Sequence, residues 1–178
     1  MAIPANWITV GGTVVSFAEY QDFLDTDKRV FEANEGLTET LVEDLAERAT
    51  SRILARIRTT AWWSNLFSDL ATTGQQSATQ TLSTPYVPLP SANNIQARQA
   101  DFTDLCVYLT LFERIYPLIA DFNNADSAEV QKIGVFRTKY NELFQELIDD
   151  GSWYDFSGDG TITNLERMPT RTNIVRIR

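Results

Sequence analysis

Apolar residues keep the helical period most steadily between Thr38 and Trp63. Leu41, Leu45, Ala49, Ile53 and Ile57 fall four apart there, and Val42, Ala46 and Leu54 widen the stripe. The spacing predicts one long helix with a broad face to bury. Its other face carries Asp44, Arg48, Arg52 and Arg56, also four apart. Asp44 and Arg48 attract, whereas the three arginines repel one another by roughly 0.2–0.5 kcal/mol per pair unless acids elsewhere meet them. A second periodic stretch runs from about Ile95 to Phe122, with Phe102, Leu105, Cys106, Leu109, Phe112, Tyr116 and Ile119 on one face and Leu111, Ile115 and Leu118 beside them. Pro117 predicts a kink or break near its end. A third stretch opens at Asp126 with Glu129, a capping signature, and runs to about Asp150. Val130, Ile133, Phe136, Tyr140, Leu143, Phe144 and Leu147 face inward along it, and Gly151 stops it.

Shorter elements precede these. Trp7 to Val10, Gly11-Gly12 and Thr13 to Val15 read as strand, turn and strand. Ser16 with Glu19 predicts a capped helix burying Phe17, Tyr20, Phe23 and Leu24, and Thr26 the cap of another bearing Val30 and Phe31, ended at Asn34 to Gly36. Trp62 and Trp63 lie where the long helix leads into Leu66, Phe67 and Leu70. Side chains of adjacent helical residues point about 100° apart, so either both close the core or one meets a partner at the surface. Residues 71–94 hold no charge, little periodicity and Pro85, Pro88 and Pro90. A segment of that length is either an insertion or an arm whose Tyr86, Val87 and Leu89 reach a neighbouring subunit. The fold class expected is mainly α: a small helical bundle with three long helices, an extended loop at about 71–94 and an extended C-terminal tail. Residues 1–166 form one domain and 167–178 a basic tail.

The chain has 178 residues, 43% of them hydrophobic, enough for one domain that buries roughly 70% of its unfolded surface. No apolar run approaches the roughly 18 to 20 residues of a membrane span, and the start, MAIPANWITV, lacks signal-peptide features, which predicts a cytoplasmic origin without membrane. There is no histidine and a single cysteine, Cys106, among apolar neighbours. The usual triads and zinc sites therefore have no residues to use, and no catalytic residue is expected. The acid pair Asp149 and Asp150 reads as a solvated helix end.

Net charge is −9, against the balance of a protein that grips DNA phosphates. The sign is unevenly spread. Arg167, Arg171, Arg176 and Arg178 stand without an acid after them or among them, so residues 1–166 hold 24 acids against 11 bases, a net −13. An acidic body with a basic tail suits docking to itself or to another protein.

One stretch matches a chemical motif. DFSGDGTITNLE, Asp155 to Glu166, fits the EF-hand calcium loop: Asp155, Ser157 and Asp159 at the first, third and fifth positions, Gly160 at the bend, Thr161 offering its carbonyl, and Glu166 closing. A hard cation needs oxygens gathered at about 2.3–2.6 Å by a chain wound around it. The flanks depart from the hand, because Gly151 ends the helix before it, Pro169 leaves no room for one after it, and no second loop pairs with it. Two readings follow: a loop holding Ca²⁺ through Asp155, Ser157, Asp159, Thr161 and Glu166, or a tight turn held by its own side-chain hydrogen bonds. Beyond it, TNIVRIR alternates Ile174, Arg176 and Arg178 against Val175 and Ile177, which suits an added edge strand or a disordered terminus.

The extended N-terminus, the cap at Ser16, the TETLVEDLAERATSRILARI helix, two further long helices and an Asp-Gly turn before a basic C-terminus together resemble the head-to-tail connector, or adaptor, proteins of tailed bacteriophages. The resemblance spans most of the chain and lies in pattern rather than in an invariant motif. It implies a virion structural protein of the phage neck, made in the host cytoplasm. Such a protein forms a twelve-membered ring that joins the portal to the next neck or tail protein and continues the DNA channel without binding DNA specifically. It further implies that Arg171, Ile174, Arg176 and Arg178 dock on the portal, and that Arg48, Arg52 and Arg56, with Tyr86, Val87 and Leu89, meet neighbouring subunits. No cofactor is required on this view beyond the Ca²⁺ that the loop would take. The alternative is a small calcium-binding regulatory or adaptor protein acting through Asp155 to Glu166.

Overall fold

In the computed structural model, which describes residues 3–72, 87–122, 127–164 and 166–167, the chain is mainly α-helical with one small antiparallel hairpin. The hairpin pairs β1 (Ile8–Val10) with β2 (Thr13–Ser16) across Gly11 and Gly12, both at positive φ, as the alternation predicts. Helix α1 (Tyr20–Ala33) follows, but Ser16 is not its cap. Glu19 is, and it exchanges side-chain and backbone hydrogen bonds with Asp22. Ser16 instead donates to the Ala18 carbonyl, 2.7 Å. Asp27 breaks α1 at φ −150°, ψ 72°, and its own carboxylate, rather than Thr26, accepts the Val30 N–H of the second half.

Helix α2 (Glu39–Arg58) is capped by Thr38, whose side chain accepts the Leu41 N–H. It stops five residues short of Trp63. Thr59 and Thr60 turn their hydroxyls back onto the Arg56 and Ile57 carbonyls, 2.7 Å each, and Thr60 Oγ1 accepts the Trp63 N–H of the next helix, α3 (Ala61–Thr72). Both tryptophans are buried, at 2% exposure, so the pair closes the core. After a 3₁₀ turn at Ala92–Asn94, helix α4 starts at Gln99, later than Ile95, and runs to Thr110. A π-helical turn, Leu111–Ile115, joins it to the short α5 (Tyr116–Ile119). Pro117 is the physical reason: its ring crowds the carbonyl four residues back, and the wider turn, in which the Tyr116 N–H reaches Leu111 O, relieves that without breaking the rod. Leu118, expected inward, is 67% exposed. Helix α6 (Ala128–Asp150) is capped by Ser127, next to the expected Asp126, which lies outside the described residues. Gly151 ends it in the left-handed conformation at φ 60°.

Helix α4 packs between α2 and α6. A run of ring contacts threads the core from Trp7 through Phe17, Phe102 and Trp153 to Trp62 and Trp63, with centroids 4.7–6.0 Å apart. Two buried threonines tie the hairpin to the bundle. Thr50 Oγ1 accepts the Phe17 N–H at 3.0 Å, while Thr103 Oγ1 donates to the Phe17 carbonyl at 2.8 Å and accepts from Trp7 Nε1 at 3.0 Å. Phe17 lies beyond the strand ladder, and these hydroxyls supply the partners that its buried backbone needs. Among the described residues no helix is long and apolar enough to cross a membrane.

Candidate functional site

The loop from Asp155 to Glu166 is built on a fixed base. Trp153 Nε1 donates to the last-turn carbonyl of Leu147 at 2.7 Å, and the Trp153 carbonyl accepts from Gln96 and Ala97. Asp155 N–H donates to Asn94 O at 2.8 Å, and Ile95 bridges Tyr154. The Tyr154 hydroxyl accepts the Ser91 N–H; burial pushes its pKa up to about 12, partly offset by its Ser91 and Asn94 hydrogen bonds. The stretch 91–97 thus anchors the loop to the body.

Within the loop both end carboxylates are buried, Asp155 at 0% and Glu166 at 2% exposure. Asp155 accepts the Gly158 N–H and the Ser157 hydroxyl on Oδ1 and the Gly160 N–H on Oδ2, at 2.6–3.1 Å. Glu166 accepts the Ser157 N–H on Oε1 and the Thr163 N–H and hydroxyl on Oε2, each at 2.8 Å. Gly160, at φ +87°, lets the backbone turn its amide to Asp155. Asp159 is exposed and bonded to Thr161 N–H and Oγ1, hydrogen bonds that hold its carboxyl below the usual range. Asp155 and Glu166 thus accept on both oxygens from donors of the loop itself, and Asp159 on Oδ1. Among the described residues no three acidic, histidine or cysteine side chains gather closely enough to hold a metal ion. What the arrangement does is fasten residue 155 to residue 166 and fix where the chain leaves the body.

The arginine row lies elsewhere. Arg52 and Arg56 of α2 form one wall of an open groove of about 630 Å³, Arg137, Tyr140 and Asn141 of α6 the other, and Leu109 and Phe112 its floor. Arg52 pairs with Glu113, and Arg56 donates to Asn141 Oδ1 at 3.2 and 3.3 Å while lying 4.2 Å over the Phe144 ring. Arg48 stands apart, with Asp44, Glu47 and Ser51. Of the arm residues, Val87 packs against the core, Leu89 is 51% exposed, and Tyr86 lies outside the described residues. Trp63 Nε1 donates to Pro88 O at 2.8 Å, so the stretch after residue 87 runs along the body. Arg171, Ile174, Arg176 and Arg178 lie outside the described residues.

Cys106 and the acid pair Asp149 and Asp150 have partners within the chain. Burial pushes the Cys106 thiol up to about 11, with Thr50 beside it at 3.5 Å. Asp149 and Asp150 are exposed and accept from Gln145 and Ser152. Sequence reasoning missed two ionic centres. Arg98, at φ 54° ahead of α4, binds Asp101 at 2.5 Å and Glu146 at 2.8 Å. Asp27 accepts from Tyr116 at 2.5 Å and from Lys132. Arg98–Asp101 is a local pair three residues apart, but Glu146 lies 48 residues from Arg98, and Tyr116 and Lys132 lie 89 and 105 from Asp27, and no local signal marks such distant partners. Compared with known proteins, the chain matches no family model, no curated protein and no solved structure.

Proposed function

We propose that this chain is a structural protein of the tailed-phage neck, a ring-forming adaptor between the portal and the next neck or tail protein. The observation that carries the reading is the division of charge: a net −13 over residues 1–166 against four arginines and no acid in residues 167–178. A negative body lining a channel lets DNA pass without sticking, and a positive terminal segment has an acidic surface to seek. The hydrogen-bonded loop supports the division mechanically, since Glu166 holds the root of the tail to Ser157 and Thr163. On this reading Arg171, Ile174, Arg176 and Arg178 dock on the portal, and Arg48, Arg52 and Arg56 face acids of a neighbouring copy.

Native mass spectrometry of the protein mixed with a portal ring tests it. A complex with one copy per portal subunit is expected, and loss of that complex on deleting residues 170–178, with helical content unchanged, would assign the tail. No complex with the portal would overturn the reading.

A further inference from the structure

Helix α2 is divided by charge. Up to Glu47 it carries Glu39, Glu43, Asp44 and Glu47, and from Arg48 on it carries Arg48, Arg52, Arg56 and Arg58. The helix dipole favours this polarity, but its effect fades beyond the first and last turns, and Asp44, Glu47, Arg48 and Arg52 sit inside them. Nor do ion pairs among the described residues use the acids. None of Glu39, Glu43, Asp44 and Glu47 makes an ion pair among the described residues, and Glu39, Asp44 and Glu47 are exposed. The basic half is the wall of the 630 Å³ groove, where Arg137 of α6 adds a third guanidinium without an ion pair among the described residues and Glu113 is the one acid of the lining. Phe112 and Tyr140 give that groove an aromatic lining, and Arg56 lies 5.0 Å over the Tyr140 ring, so the rings help hold the guanidinium in place.

We propose that the acidic half of α2 in a second copy of this chain seats in the groove of Arg52, Arg56 and Arg137. Complementarity decides the occupant: an acid stripe without an ion pair among the described residues and an arginine groove with donors to spare lie on the same helix, their centres about 15 Å apart at 1.5 Å per residue. The inference deepens the neck reading by naming the acids that the arginine row meets. If the contact repeats head to tail it closes a ring; if two copies clasp mutually it stops at a dimer.

Sedimentation of the full chain alone at low salt, with no portal present, tests it separately. Wild type is expected to associate, and added salt to weaken the association. The pairs Arg52→Glu with Arg56→Glu, and Asp44→Arg with Glu47→Arg, are each expected to weaken it by roughly tenfold to a hundredfold. Mixing the two variants should restore it, because opposite charges meet again. Asp44 and Glu47 have no ion pair to lose within the described chain, so that variant keeps the test sharp should the arginine pair fail to fold. A monomeric wild type, variants that associate as wild type does, or a mixture that stays apart would overturn the contact. A closed dimer would support the contact and remove the ring.

Discussion

Thr103 shows how much one hydroxyl decides in a buried setting. It serves the Trp7 indole and the Phe17 carbonyl at once, so Thr103→Val, nearly the same shape, leaves two buried polar groups without partners. The expected loss is about 1–3 kcal/mol, read from urea denaturation. Glu166→Gln makes a similar test of the loop: an amide NH₂ must then face the Ser157 or Thr163 N–H, and a loss of about 1–3 kcal/mol is expected. No change would mean that the carboxylate does not hold the turn. At Arg98 two effects compete, the strain of a left-handed backbone and the pairs with Asp101 and Glu146. Comparing Arg98→Gly with Arg98→Ala separates them, since both lose the pairs and only Ala keeps the strain. The Gly variant should be more stable by roughly 1 kcal/mol.

Among the elements, the kink of α1 is held by chemistry that depends on pH. Burial alone would raise the Asp27 pKa, but the hydrogen bonds from Lys132, Tyr116 and the Val30 N–H outweigh it and hold the carboxyl below its usual range. A lowered folded pKa gives stability that is present above the unfolded value, about 3.9. That stability is lost as pH falls through the lower folded value. Asp27→Asn should flatten that part of the acid unfolding curve, and a curve of unchanged slope would show that the network carries no linkage. Gly134 sits exposed inside α6 with nothing within 4 Å of an added Cβ. Gly134→Ala is therefore expected to stabilise the chain by about 0.5–1 kcal/mol, seen as a higher melting temperature. The element types were legible because a 3.6-residue stripe survives any packing, as in α2 and α6. Their ends were less so. Ser16 is by type the better N-cap, yet the cap is Glu19, in a reciprocal box with Asp22 that residue preference does not favour. The break at Thr59-Thr60 was hidden because apolar residues continue across it, while the signal, two hydroxyls folding back on Arg56 and Ile57, depends on rotamers.

For the molecule as a whole, the DFSGDGTITNLE spelling gave the turn and its glycines, but not what the carboxylates bind. Loop N–H groups compete with any cation for the same oxygens, and spacing alone does not rank them. With those oxygens bonded, millimolar calcium or EDTA should leave the melting temperature within about 1 °C, whereas a rise of several degrees with calcium would mean that the loop reorganises around an ion. The groove was legible only in half, since Arg52 and Arg56 share a helix face and Arg137 arrives from a separate one. The aromatic run has one more consequence. Trp153 lies two residues before the buried Asp155 and touches Trp62, which touches Trp63. A shift at the root of the tail that moves Trp153 would disturb these packed indoles, so the protein carries its own fluorescent reporter, and its tryptophan emission can follow assembly in real time without a dye.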